Sequence, residues 1–444
     1  MSDDLKMPNG LEMQKNRFLG IIEGASARII FNLTTGAFLV GLLKYIGASD
    51  TVCGYIIAIP VLAAVVQFLS PIILESLKYR KKIIIAGCLV HRLLLSSLIA
   101  IPFLPISTNF KLWMAVLLFF LSYLSVSFIN PAAANLYVSF VPQNIRGKYF
   151  GMRESYLLFS ATIVSLILGR TLDTFKESNN EITGYIVIYA VVFVFTVINY
   201  ISFHKMKEVP LVHNKTRMKI SEVFSLPLKN KIFVNFFIMS IIWNVAFQIA
   251  GAFFSVYLVS DLKMNYTAIT LLGMLSSITY VISANLWGKF ADRRGWLITT
   301  ILSLSALGVC HTLWFFSFQS SSILLILLTT AHMISGIAWS GINISMFNIQ
   351  FEFTPDEKRT VYIGFSAAVS GVIGYIAAVL GSVMVGLFGE RLVMLGSFTF
   401  NIKQLLFGAS AVLVFVCTAY IFIFMRKRNN KEVLEGKNYA EKTG

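Results

Sequence analysis

The chain has 444 residues, of which 57% are hydrophobic and 13% charged, with a formal net charge of +16 and a mean hydropathy of +0.75. That leaves too little polar surface to cover a soluble globule of this size, so a soluble globular domain is excluded and an integral membrane protein is expected. A nucleic-acid partner is excluded as well, because it would need one basic face interleaved with aromatics, whereas here Lys and Arg are scattered over many short segments.

Residues 1–17 are polar and charged and read as a cytoplasmic amino-terminal segment. No cleavable signal peptide is expected, so the first apolar stretch should itself direct insertion. Twelve such stretches follow, at 18–43, 52–74, 83–104, 112–140, 149–169, 184–203, 232–259, 266–287, 296–316, 322–349, 361–388 and 404–425. Each meets the requirement of roughly 20 apolar residues to cross the hydrocarbon core as a helix. All are too long and too uniformly apolar for the strands of a β-barrel. The fold class is therefore an all-α polytopic membrane protein. Between the sixth and seventh spans, residues 204–231 form the longest polar connection, with seven Lys and Arg and two prolines, Pro210 and Pro227. This is read as a cytoplasmic loop joining two six-helix bundles, 18–203 and 232–425, and Ser221–Phe224 could cap a short surface helix within it. The tail, 426–444, is charged without an apolar face and is expected to be disordered and cytoplasmic.

The two halves repeat. At an offset of 213 residues, Asn130, Asn135, Pro142, Arg146 and Gly151 fall on Asn343, Asn348, Pro355, Arg359 and Gly364. These are mostly minority residue types, so the register indicates a duplicated six-helix unit and two pseudo-symmetric bundles. Repeats of this kind are common in secondary transporters, with the substrate site at the interface of the halves. The termini and the loops after even-numbered spans carry 28 of the 37 Lys and Arg, counting Arg153 with the loop that leads into its span. The opposite loops carry 7, and Arg28 and Arg92 lie inside spans. That bias predicts both termini in the cytoplasm and accounts for most of the net charge.

Polar side chains inside spans carry the chemistry, because hydrocarbon penalises them unless they face protein or water. Arg28, Asn32 and Thr35 share one face of the first span at i, i+4 and i+7. Asn244, Gln248 and Gly251 do the same on the seventh, and an offset of 216 superimposes Arg28 on Asn244 and Asn32 on Gln248. The fourth span presents Tyr123, Ser127 and Asn130, and the tenth His332, Ser335, Trp339 and Asn343. Four polar stripes at equivalent positions predict a water-filled cavity, although interhelical hydrogen bonding could use the same residues. Arg28 and Arg92 both lie near mid-membrane. No acid shares the face of Arg28, so a bound anion is the economical counter-charge. Glu23 is turned about 140° away from Arg28 and is expected to pair with a loop cation. His332 is the better candidate for proton coupling, with Glu23 second and an ordinary buried role for His91. Arg153 and Glu154 read as an interfacial pair at the start of the fifth span. Gly20 and Gly24, and Ala367 and Gly371, have the spacing that lets helices approach closely.

Cys53, Cys88, Cys310 and Cys417 lack metal or redox spacing and are read as small apolar core residues. No HExxH, GxSxG, GxxxxGK[ST] or CxxCH motif occurs, so no enzyme activity, metal or cofactor is expected, and the missing phosphate loop argues against an ATP-driven pump.

The loop after the eighth span, Gly288-Lys-Phe-Ala-Asp-Arg-Arg-Gly-Trp296, resembles the Gly-x-Leu-Ala-Asp-Arg-x-Gly-Arg signature of the major facilitator superfamily. The equivalent first-half loop keeps an acid at Glu75 and a basic cluster but has no glycine. The resemblance covers residues 18–425. It implies two six-helix bundles around a central cavity lined by the first, fourth, seventh and tenth spans, working by rocking alternating access. It also implies a cytoplasmic gate latch at Asp292. The residues support that role independently, since an acid at a helix end flanked by Arg293 and Arg294 can accept charge-assisted hydrogen bonds and meet a helix amino terminus such as that of the eleventh span. The expected function is secondary active transport of a small polar, anionic solute across the cytoplasmic membrane by a monomer in the lipid bilayer. The substrate-binding set would be Arg28, Asn32, Asn130, Asn244, Gln248, Trp339 and Asn343. A neutral solute such as a sugar, a lipid-linked substrate, and a non-transporting receptor are the alternatives.

Overall fold

The computed structural model describes residues 9–74, 77, 79–208, 227–319, 322–354, 359–389, 391–396 and 398–425. Glu75, most of the central loop and the tail lie outside the described residues. Eleven helices among those described are long and apolar enough to cross a membrane, and a twelfth span arises if the bent pair Gly10–Thr34 and Gly36–Ile46 is counted as one. The others run Asp50–Gln67, Lys81–Phe103, Thr108–Ser139, Arg146–Glu177, Glu181–Lys205, Lys231–Asp261, Tyr266–Arg294, Trp296–Phe315, Leu324–Glu352, Tyr362–Phe388 and Ile402–Met425. Twelve spans and the all-α class agree with the sequence.

The first span is not the continuous helix expected over 18–43. It starts at Gly10, where Asn9 and Glu12 form a reciprocal capping box. It then bends by 42° at Thr35. The hydroxyls of Thr34 and Thr35 bond back to the carbonyls of Ile30 and Phe31, both at 2.7 Å, and Gly36 takes φ +56°, a left-handed conformation that a β-carbon would strain. Thr35 itself is extended, at φ −133°, so the helical face that carries Arg28 and Asn32 does not reach it. In the second span Pro60 precedes a 3-10 turn at Ala64–Phe68, which tightens the helix near Gln67.

Two compact units emerge. One comprises Met1–Met218 with Ala252–Leu271, the other Lys219–Gly251 with Leu272–Gly444. In the first unit, one core cluster packs Leu19, Leu74, Ile84, Ile129, Phe140, Tyr149 and Phe203, from the first, second, third, fourth, fifth and sixth spans and the loop before the fifth. The segment Ala252–Leu271 is fastened to this unit by Asp173. Its buried carboxylate accepts from the backbone N–H of Tyr266 (2.7 Å) and Thr267 (2.8 Å) and from the Thr267 hydroxyl (2.5 Å), capping the start of the eighth span. Beside it the phenols of Tyr185 and Tyr266 meet at 2.9 Å, against Gly41, where any side chain would collide with both hydroxyls.

In the second unit, the eighth and tenth spans are joined along a seam of small and polar residues. Ser276 donates to the His332 carbonyl at 2.8 Å, Ser283 and Ser340 share a hydrogen bond of 2.7 Å, and Trp287 Nε1 donates to the Ile337 carbonyl at 2.8 Å. A short antiparallel hairpin, Val393–Leu395 with Phe398–Phe400, precedes the last span, and Phe400 stacks on Phe315 at 4.3 Å. Strands of three residues are too short to show an alternating pattern in the sequence. All four cysteines are buried, and none forms a disulfide.

Candidate functional site

The first unit contains an open cavity of about 480 Å³. All six spans of the first half contribute to its wall. The first span supplies Glu23, Gly24 and Arg28, the second Gln67, the third His91 and Arg92, the fourth Tyr123, Ser127, Asn130 and Tyr137, the fifth Arg153, and the sixth Phe203. Three arginines and one glutamate among the lining residues give the wall an excess of positive charge.

Glu23 pairs not only with Arg153, counted above with the loop before the fifth span, but also with Arg92 inside the third. Its carboxylate is the hub of a buried cluster: Oε1 accepts from Asn199 Nδ2 at 2.9 Å and lies 3.4 Å from Arg92 Nη2, while Oε2 lies 3.5 Å from Arg153 and accepts from the Tyr137 hydroxyl. Arg92 also donates to the Cys88 carbonyl at 3.2 Å, and Arg153 donates from Nε to the Gly20 carbonyl at 3.0 Å and stacks its guanidinium 4.9 Å above the Tyr137 ring. Each charge is thus held by several partners, which is what a low-dielectric interior requires. Gly24 makes room for this arrangement, since a β-carbon there would overlap the Arg153 guanidinium.

Arg28 also has an acidic partner that its own helix does not supply. Its Nη2 meets Glu154 Oε1 at 2.5 Å. The expected interfacial pair, Arg153 with Glu154, is therefore divided: Arg153 serves Glu23 and Glu154 serves Arg28. Neighbouring helix positions lie about 100° apart, so one stretch of the fifth span reaches both acid and base on the first. The signal was present in the sequence as one Glu and one Arg on each of two apolar helices, which must be neutralised by something. What was missing was which helix faces which.

The remaining sequence-derived residues fall as follows. Asn130 lines the cavity, whereas Asn32 is half-buried and not on its wall. His91 is a satisfied core histidine, with Nδ1 2.7 Å from the Ser122 hydroxyl and its ring edge-on to Tyr123. In the second unit, Asn244 donates to the Ser240 carbonyl at 2.9 Å, and Asn244 and Gln248 lie against Gly374 of the eleventh span. Trp339 forms an aromatic cluster with Trp243 and Phe247, at centroid distances of 5.9 and 5.1 Å. Asn343 is exposed and donates weakly to the Tyr280 hydroxyl at 3.3 Å. The ring of His332 packs on Trp314 at 5.5 Å, with Nδ1 2.8 Å from the Leu328 carbonyl of its own helix. That places it against the ninth span, in the manner of a packed core histidine. Asp292, Arg293 and Arg294 are exposed, and Asp292 makes no hydrogen bond or ion pair with another described residue. Residues 355–358, ahead of the eleventh span where its partner was expected, lie outside the described residues. Among the described residues no cluster of His, Cys, Asp and Glu could hold a metal ion.

A family model described as Major Facilitator Superfamily matches residues 24–378 and 245–442. Among solved structures, a point mutant of the nucleoside transporter NupG aligns with a TM-score of 0.66 at 16% identity, over 92% of this chain and 99% of that one. A bacterial homologue of the iron transporter ferroportin in an inward-facing state aligns at 0.67 and 13%, over 94% and 99%. The partially occluded inward-open xylose transporter XylE from E. coli aligns at 0.65 and 11%, over 93% and 98%. At these identities the likeness concerns the fold alone. No curated protein sequence matches the chain.

Proposed function

The chain belongs to the major facilitator superfamily, and on that premise we propose that it carries a small organic or inorganic anion, bound at Arg28 in the cavity of the first unit. Family membership makes it a multi-pass membrane transporter of the secondary, alternating-access type. The observation that carries the anion reading is the imbalance of the cavity wall, with Arg28, Arg92 and Arg153 against Glu23. Adding Glu154, the counter-charge of Arg28, still leaves an excess of one positive charge, which a monoanion would neutralise. Arg28 is the accessible member of the set. Its planar fork suits a carboxylate or phosphate, and Asn130 and Gln67 add neutral hydrogen bonds on the same wall. One observation favours a neutral solute instead: Arg28 already has an acid in contact. A cationic solute is disfavoured by either reading.

The test is uptake into proteoliposomes of inorganic phosphate and of small mono- and dicarboxylates. Arg28→Gln is expected to lower uptake of the transported anion roughly 100-fold, as for truncation of a charge-assisted pair, and Arg28→Lys to retain part of it, since lysine keeps the charge without the fork. Equal uptake by wild type and both variants would refute the assignment. The Lys and Arg bias supports placement in the cytoplasmic membrane with both termini inside, where the chain would work as a monomer. In that orientation Asp292 with Arg293 and Arg294 serves as the cytoplasmic latch. Asp292→Asn should slow uptake in the same assay with the apparent affinity unchanged, and an unaltered rate would reduce Asp292 to a loop charge.

A further inference from the structure

Two ionic arrangements lie side by side in the first unit, and they differ in what water can reach. The side chains of Arg92 and Glu23 are 7% and 4% exposed, whereas those of Arg28 and Glu154 are 33% and 36% exposed. The first pair is locked: each oxygen of Glu23 has two partners, and freeing the carboxylate would forfeit all four where little water reaches it. The second pair rests on a single contact, from one guanidinium nitrogen to one carboxylate oxygen, at 2.5 Å.

Resting on the anion reading above, we propose that Glu154 is a built-in counter-anion that occupies Arg28 in the empty transporter and is displaced by the solute, so that it sets which anions bind. The geometry carries this in three steps. The fifth span is pinned beside the first, because Arg153 Nε bonds the Gly20 carbonyl at 3.0 Å and Gly24 admits the guanidinium. The backbone of Glu154 is therefore fixed while its side chain keeps three rotatable bonds and a path to water. Arg28 spends only one of its five donors on Glu154, so a planar anion that accepts two parallel N–H bonds makes the better contact. A released Glu154 is rehydrated rather than stranded, so the exchange costs little. An accessible ion pair is a weak competitor, so an incoming anion has little to overcome. The consequence is selectivity for anions able to bind in bidentate fashion over those that match a single carboxylate oxygen. Glu154 acts through Arg28 and is a specificity-determining residue.

The experiment is ligand-induced stabilisation of the purified full-length protein, titrated with inorganic phosphate, acetate, succinate and citrate, in wild type, Glu154→Gln, Arg28→Gln and the double variant Arg28→Gln/Glu154→Gln. Removing the competitor should tighten binding of the anion that stabilises wild type, by up to about fivefold in Glu154→Gln. Arg28→Gln should lose that binding. The double variant, which leaves no unpaired charge at the site and so guards against misfolding, should lose it as well. If Glu154→Gln weakens the same anion as strongly as Arg28→Gln does, Glu154 merely positions the guanidinium and the displacement model is wrong. If no anion stabilises wild type or Glu154→Gln while a neutral solute stabilises both, the anion reading fails, and the displacement model with it.

Discussion

Replacing Glu23 with alanine is expected to cost the first unit about 3–5 kcal/mol, because it removes the common partner of one buried and one largely buried guanidinium group. Arg92 and Arg153 converge on that one carboxylate, and the Tyr137 hydroxyl and Asn199 amide complete its shell. Alanine would leave two cations close to each other with little exposure to water and no counter-charge between them. The melting midpoint should fall by on the order of 10 °C. Glu23→Gln should lose less, since its amide oxygen still accepts from Asn199 or Arg92. A double variant, Glu23→Ala with Arg92→Ala, should be less destabilised than the sum of its parts, the mark of a coupled pair. A Glu23→Ala protein that melts within a degree or two of wild type would show that the cluster contributes nothing to stability.

The second large effect belongs to the other unit. A β-carbon on Gly336 would overlap the Ser276 carbonyl oxygen and the Thr279 hydroxyl, and would lie 2.9 Å from the Ser276 carbonyl carbon. Backbone cannot step aside as a side chain can, so the tenth span would have to move off the eighth. That movement would break the seam formed by Ser276 with the His332 carbonyl, Ser283 with Ser340, and Trp287 with the Ile337 carbonyl. Gly336→Val is therefore expected to destabilise by about 3 kcal/mol or more, at the upper end of the range for overpacked cores. Gly336→Ala should lie partway. The check is the yield of monodisperse protein and its melting midpoint. A valine variant that behaves as wild type in both would mean that the two spans are not held at this separation.

The two units differ in how much of them could be read from sequence. Span number and class were legible because apolar length is a one-dimensional signal that needs no neighbour. Gly20 and Gly24 were legible as close-approach positions, and the structure gives their purpose in the Tyr149 hydroxyl and the Arg153 guanidinium that they accommodate. The depth of Arg28 could be counted along the helix. Its partner could not, because Glu154 lies 126 residues away and periodicity states which residues share a face without stating what that face meets. The same gap explains Glu23 and the packed setting of His332. The bend at Thr35 was hidden for a different reason: hydropathy continues smoothly through Thr34-Thr35-Gly36, and it is hydroxyl back-bonding with one left-handed glycine that interrupts the helix.

The most direct test of the account is whether the empty site prefers negative charge, and whether Arg28 is the reason. Melting midpoints of the purified protein would be measured with inorganic phosphate, small carboxylates, neutral monosaccharides and small amines, in wild type and in Arg28→Gln. The account predicts that at least one anion raises the wild-type midpoint in a saturable way, that the same anion leaves Arg28→Gln unmoved, and that amines have no effect on either. Stabilisation of both proteins to the same extent by a sugar or an amine, with no anion acting on wild type, would contradict it.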